Sequence, residues 1–257
     1  MSRHIDFEGI ENFRDFGGYP TACGRGVPHG RLYRSGAHHA ATDADLERLQ
    51  ELSVAVVVDL RQPHERQREP SRRWPGFAGR VIENDLVSEH PDWLVKLKTA
   101  DLSANWFFED TRQFYRHGPT EPRHLQLFGA YFRALAEAEG PVLVHCAAGK
   151  DRTGMICALT HHIAGVHPDD AMADYLLTND ETRIRRKMAV LAPYFREYVG
   201  RPVSEEAVRM AVSVHPAYLE AAFEVMGEGF GSVDGYIEKG LGVDAPARER
   251  IRERLLG

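Results

Sequence analysis

No apolar stretch in this 257-residue sequence approaches the roughly 20 residues that span a bilayer, so stable membrane insertion is not expected. Cysteine is scarce. Cys23, Cys146 and Cys157 are too few and too scattered for a disulfide framework, and the odd count suits a reducing compartment. Runs of Lys or Arg are missing too, and the formal net charge of -6 argues against general nucleic-acid binding. The first segment, Met1 to Glu11, carries Asp6, Glu8 and Glu11 without an apolar core, so no secretory leader is expected and a cytoplasmic location is. The paired histidines His38-His39 and His161-His162 lack the i, i+4 spacing of a helical metal site, and no metal or other cofactor is expected. Internal repeats and low-complexity linkers are also lacking.

What is present is ordinary in bulk and unusual in one place. A hydrophobic content of 43% and a charged content of 27% suit a soluble globular chain, read here as one domain over 1–257. The unusual place is His145-Cys146-Ala147-Ala148-Gly149-Lys150-Asp151-Arg152-Thr153-Gly154. It follows the apolar run Pro141-Val142-Leu143-Val144 and precedes the apolar segment Met155 to Ile163, which reads as strand, tight loop, helix. The unpaired amides and dipole of a helix N-terminus suit an anion, and the same field favours a thiolate over a thiol.

A second buried strand is predicted at Val54 to Leu60, which is β-branched and apolar, and it ends in Asp59 and Arg61. Ligands of open α/β sheets bind beyond the carboxyl ends of the strands, so both strands deliver chemistry to one edge. Arg31 to Ser35 is a shorter strand. Helices are predicted after the Thr42 cap, with Leu46, Leu49 and Leu52 inward, and over Arg123 to Glu139. Further helices are predicted from Thr153 to about Ala164, from Pro168 to Leu177, and in a tail over about 203–257 whose first cap is Ser204. The aromatic stretch at about 86–122 holds two helices that serve as core or as a lid over the pocket. The fold class is therefore α/β, a central mostly parallel sheet flanked by helices, with a helical insertion and a helical C-terminal tail.

A phosphate dianion over the loop would accept N–H bonds from Ala147, Ala148, Gly149, Lys150, Asp151 and Arg152. The Arg152 guanidinium would grip two of its oxygens. Cys146 would attack phosphorus in line to give a cysteinyl-phosphate that water hydrolyses. Thr153 can donate its hydroxyl to the sulfur, Gly149 and Gly154 permit close approaches, and His145 is expected to hold the loop through backbone hydrogen bonds. Cys157 reads as core, and Cys23, in a glycine-rich turn, as a surface thiol or a redox partner of Cys146.

His145 through Thr153 resembles the H-C-x5-R-T/S signature of cysteine-dependent protein tyrosine phosphatases. With Gly149-Lys150-Asp151-Arg152 it is more similar to the atypical bacterial and fungal tyrosine/serine phosphatases. Asn12-Phe13-Arg14-Asp15-Phe16-Gly17-Gly18, Tyr33-Arg34-Ser35-Gly36, Asp59-Leu60-Arg61 and Asp174-Tyr175-Leu176-Leu177 extend the resemblance along most of the chain. It implies a phosphatase fold without a metal cofactor, and activity on phosphotyrosine, often phosphoserine/threonine, and sometimes phosphoinositides. Lys150 adds a charge that ordinary tyrosine phosphatases lack there and that suits headgroups with several phosphates.

A leaving group needs a carboxylic acid within reach of the ester oxygen. Asp151, favoured by the resemblance, and Asp59 compete for that role, and Asp59 has the alternative of bracing Arg152 by a salt bridge. Arg61 binds substrate or pairs with Glu65. Asn12, Arg14 and Asp15 line the pocket or form turns. A phospho-binding module without turnover is the rival outside enzymes, and the intact Cys146, Asp151 and Arg152 weigh against it. The expected partner is thus a phosphorylated protein, with a phosphoinositide as the alternative.

Overall fold

The computed structural model describes residues 3–90 and 93–257. Two residues of the N-terminal segment and two of the 86–122 segment lie outside this description. In chain order β1 (Arg14–Asp15) and β2 (Leu32–Ser35) precede α1 (Asp43–Glu51), β3 (Val56–Asp59), α2 (Pro63–Arg68) and β4 (Arg80–Ile82). Then come α3 (Trp93–Thr99), α4 (Ala104–His117), α5 (Pro122–Glu137), β5 (Val142–His145) and α6 (Asp151–Ala164). Helices α7 (Pro168–Leu176), α8 (Glu181–Val199), α9 (Glu205–Val212), α10 (Pro216–Phe230), the short α11 (Val233–Gly235) and α12 (Ala245–Leu256) complete the order.

The sheet order is β1-β2-β5-β3-β4, with β1 antiparallel to β2 and the other pairs parallel. β5 is central because Val142, Leu143 and Val144 have no polar face. Burying such a side chain is favourable by about 1.5–3 kcal/mol, and both sides of the sheet are covered here. Alternation sorts the strands. Leu32, Val56, Val58, Val142 and Val144 face the larger core under α5, α6, α10 and α12, whereas Tyr33, Val57 and Leu143 face a second core with Phe13, Leu46, Leu49 and Trp74.

Register places Ser35 and Asp59 on either side of His145, the last residue of β5. Three parallel strands thus end in one row, and the chain segments that follow them meet at one edge. A Thr42 cap starts α1 and a Ser204 cap starts α9, each side chain accepting a backbone N–H three residues on. Within the helical tail, the short α11 runs into a π-turn, Tyr236–Gly240.

A third apolar cluster joins α3 and α4 to α8 and α9 through Leu97, Phe107, Phe195 and Val208. Tyr115, at the other end of α4, is buried in the main core. Helix α4 is therefore core at both ends. Helix α8 has no counterpart in the sequence reading, although Ile184, Met188, Leu191 and Phe195 line its inner side at helical spacing. Pro193 inside that pattern reads as a stop, and packing against α9 and α3 overrides it. Among the described residues no helix is long and apolar enough to cross a membrane.

Candidate active site

The loop between β5 and α6 curls back on itself, and its carbonyls are pinned from outside. Ala37 N donates to the Ala147 carbonyl at 2.9 Å, and the Asn12 Nδ2 donates to Gly149 O at 2.7 Å. Arg34 Nη2 reaches the same Gly149 carbonyl at 2.9 Å. With the carbonyls turned outward, the amides turn inward. Among the described residues, none of the N–H groups from Ala147 to Arg152 donates a hydrogen bond within the protein. Such a run of unpaired amides at a helix N-terminus makes an anion-binding concavity. Gly149 makes the curl possible at φ +63°, where a Cβ would stand 2.4 Å from the Ser35 carbonyl.

Cys146 lies on the floor of this bowl, 2% exposed. The Thr153 hydroxyl is buried nearby in sequence and has no hydrogen-bond partner among the described residues. His145 Nδ1 donates to the Cys146 carbonyl at 3.3 Å, and its ring stacks on His38 at 4.6 Å. Burial holds His145 down to about 4 against the opposing pull of Asp59. The imidazole is therefore neutral at ordinary pH and acts as a structural post under the loop.

Arg152 is held differently from the expectation. Its carboxylate partner is Glu65 of α2, with Nη1 to Oε2 at 2.5 Å and Nη2 to Oε1 at 2.9 Å. Nη1 also donates to Leu60 O at 3.2 Å. Asp59 does not brace Arg152. It forks instead onto Arg61, with Arg61 Nη2 to Oδ2 at 2.7 Å and Nε to Oδ1 at 2.9 Å, so Arg61 does not pair with Glu65 either. Arg61 is 1% exposed and also bonds Glu69 O and Ser71 Oγ. It is not placed to meet a substrate. Burial alone would raise the Asp59 carboxyl, but His145 and Arg61 hold it far below the usual carboxylate range.

Arg14 is likewise withdrawn from solvent, at 0% exposure. It bonds the Asn12 side chain at 2.6 Å and Asp174 O at 2.8 Å, with Asp174 Oδ1 at 3.4 Å. It lies behind the loop, joined to it through Asn12. Asp15 takes the turn role, accepting from Gly17 N and Gly30 N. Lys150 is 7% exposed and donates to Ala211 O at 2.8 Å, a carbonyl in the last turn of α9. A cation is at home at a helix C-terminus. Asp151, at the first position of α6, accepts from Tyr115 Oη at 3.2 Å through Oδ1, and Lys150 Nζ stands 3.7 Å from its Oδ2.

The other cysteines and the paired histidines lie elsewhere. Cys157 is buried in the core, where burial pushes its thiol up to about 12. The turn carrying Cys23 is bonded through Ala22 N to Gly165 O, at the far end of α6 from Cys146. A helix of 14 residues spans about 21 Å, far beyond disulfide reach, so Cys23 is no redox partner for Cys146. His38 bonds Ser35 and His161 bonds Phe16 O, while His39 and His162 turn to Glu69 and Asp234. Among the described residues no group of three or more His, Cys, Asp or Glu is placed to hold a metal.

Sequence reasoning missed Glu65, Tyr115 and the Arg34–Asp174 pair as parts of this site. Only the last left a trace, in two short motifs whose partnership spans 140 residues. Glu65 makes a testable point. Burial alone would raise its carboxyl, yet the charge and hydrogen bonds of Arg152 hold it down to about 2 from an ordinary 4.5. Its stabilisation is complete above about 4.5 and is lost as pH falls toward about 2. Glu65→Gln is expected to flatten that part of the acid-unfolding curve and to lower kcat/KM by roughly 10–100-fold, because Arg152 loses its fixed orientation. An acid limb and a rate identical to the parent would show that the pair holds nothing.

The family model described as "Tyrosine phosphatase family" matches residues 5–257. A protein of Cupriavidus necator, named as a candidate tyrosine-protein phosphatase, is 35% identical over 248 residues, covering 95% of this chain and 86% of that protein. The triple specificity protein phosphatase PtpB of Mycobacterium tuberculosis is 29% identical over 287 residues, covering 98% of this chain and 99% of that one. A tyrosine-protein phosphatase of Nostoc commune is 27% identical over 253 residues, covering 93% of this chain and 81% of its own length. The amide bowl, the cysteine on its floor and the braced arginine accordingly have a family to which they belong: this chain is a member of the tyrosine phosphatase family.

Proposed function

We propose that this protein hydrolyses phosphotyrosine in proteins through a cysteinyl-phosphate formed on Cys146. What supports the reading most is the state of Arg152. A guanidinium has five N–H donors. Two are engaged on Glu65 and one on Leu60 O, which leaves two. These are the Nε–H and the neighbouring Nη2–H, a parallel fork that fits two oxygens of one phosphate. Glu65 therefore orients the arginine without occupying its substrate-facing side.

The reaction runs in two displacements. The Cys146 thiolate attacks phosphorus, the S–P bond forms and the P–O ester bond breaks, and the leaving oxygen takes a proton from a carboxylic acid. Water then attacks the phosphocysteine, its proton returns to the carboxylate, and the S–P bond breaks to release orthophosphate and the thiolate. The amides of Ala147 to Arg152 and the Arg152 fork hold the equatorial oxygens, which carry the charge of a loose transition state. Those donors are the groups that hold the dianion in this scheme, which routes no step through a metal. Thr153, with its free hydroxyl, can donate to the departing sulfur.

Asp151 is the acid in this scheme. It sits at the rim of the bowl with its side chain 25% exposed. Asp59 is 1% exposed and charge-locked on Arg61, and it has no proton to give near neutral pH. Phosphotyrosine is preferred over a phosphoinositide because Lys150 is 7% exposed, with its ammonium turned to Ala211 O at 2.8 Å. Phosphoserine and phosphothreonine carry the same dianion and complete the proposed substrate range.

Steady-state turnover of phosphotyrosine, phosphoserine and phosphothreonine peptides and of phosphoinositides, in the parent, Asp151→Asn and Asp59→Asn, tests the whole reading. Continuous phosphate release from the phosphotyrosine peptide is expected, and Asp151→Asn should lower it by about 10²–10⁴-fold. A single burst of bound phosphate would mean a binding module. Loss of the acid function only in Asp59→Asn would reverse the assignment.

A further inference from the structure

We infer that Tyr115 is a positioning residue for Asp151, a proposal that rests on Asp151 being the acid. Its phenol settles which carboxyl oxygen is left to carry the transferable proton. Tyr115 comes from α4 and Tyr175 from α7, and both are buried to 1% exposure or less. Tyr115 Oη donates to Asp151 Oδ1 at 3.2 Å and lies 2.8 Å from Tyr175 Oη. A phenol has one proton. With that proton on Asp151, the Tyr175 hydroxyl must be the donor in the tyrosine pair. The direction of the chain is thus fixed as Tyr175 to Tyr115 to Asp151.

Two consequences follow from that direction. Oδ1 is occupied as an acceptor, so the proton that the leaving group needs resides on Oδ2. After transfer, the new carboxylate retains the Tyr115 hydrogen bond on Oδ1, while Oδ2, with the Lys150 ammonium 3.7 Å away, takes the proton of the attacking water. The same geometry therefore serves both displacements. Burial keeps the phenol of Tyr115 well above its ordinary range, with Tyr175 and Asp151 adding to the effect, so it remains a donor throughout. The ring is fixed from its face by Tyr218 of α10, at 5.6 Å between centroids and 29° between planes. A Phe at 115 would keep that stacking and lose only the hydroxyl.

The test uses leaving-group dependence. Protonation matters for phenyl phosphate, whose leaving group is poor, and hardly for 2,4-dinitrophenyl phosphate, whose leaving group departs as the anion. Tyr115→Phe is expected to lower kcat/KM, which reports formation of the phosphocysteine, about tenfold for phenyl phosphate and to leave that of the dinitrophenyl ester nearly unchanged. Tyr175→Phe, one bond further away, should show the same selectivity at smaller size. In an Asp151→Asn background Tyr115→Phe should have no further effect on either ester.

A structural role would slow both esters alike and would persist in that background, and either result would overturn the inference. If Asp151→Asn itself shows no leaving-group selectivity, the acid assignment falls and takes the inference with it. If Asp151→Asn shows it and Tyr115→Phe does not, the inference alone fails.

Discussion

Cys146→Ser is expected to lower the turnover of an aryl phosphate on the order of 10⁵-fold or more, with binding of inorganic phosphate little changed. A serine hydroxyl is far harder to ionise than a thiol, and no base stands ready for it. His145, the adjacent imidazole, has its Nδ1 at the Cys146 carbonyl and its ring stacked on His38 under the loop. The amides of Ala147 to Arg152 and the Arg152 fork are untouched by the change, so the dianion still has its site. Equal loss of binding and turnover would mean that the substitution had collapsed the loop. Full turnover with a chelator present would mean that the thiol is not the nucleophile.

Asp174→Ala is expected to be the most destabilising single change in the site, by about 3–5 kcal/mol. Asp174 is 1% exposed and holds two guanidiniums at 0% exposure, Arg34 at 3.0 Å and Arg14 at 3.4 Å. Burial and the charge of Arg34 lower the Arg14 guanidinium to about 10, with Asp174 opposing them. Removing the carboxylate leaves two buried like charges side by side. Both arms also end on the loop, Arg34 directly on Gly149 O and Arg14 through Asn12 on the same carbonyl. Stability and activity should therefore fall together. A loss of this size should lower Tm by roughly 10 °C in a chain of this length. A loss under about 1 kcal/mol would indicate that the two arginines find water instead.

The bowl itself was legible from residues 142–154, because a β-branched apolar run, a glycine and an apolar helix fix strand, curl and helix locally. Asp59 and Arg61 were also legible as residues of the same edge, since their strand carries its own apolar signal. What the sequence did not disclose is who pairs with whom. Asp59 turns onto Arg61 two residues later, and Arg152 finds Glu65 on α2, a six-residue helix too short for any periodic signal. Both alternatives satisfy the same charges on paper, and only strand register and the path of α2 decide between them. Tyr115 was visible as an aromatic on one face of a helix. Nothing in that pattern separates a core phenol from one that reaches Asp151, because the partner is set by how α4 crosses α6 and α10.

Helix α8 marks the other boundary of such reading. Its inner residues keep helical spacing, yet Pro193 interrupts the pattern, and the apolar cluster with α3, α4 and α9 supplies what the local sequence withholds.

The most direct test of the account is to trap the covalent intermediate. The protein would be mixed with a phosphotyrosine peptide, quenched in acid during turnover and digested, and the peptide bearing Cys146 weighed. The account predicts one phosphoryl group on Cys146, at higher occupancy in Asp151→Asn given 2,4-dinitrophenyl phosphate, where formation is spared and hydrolysis is slowed. Turnover with no phosphoryl group on Cys146 in either protein would contradict it.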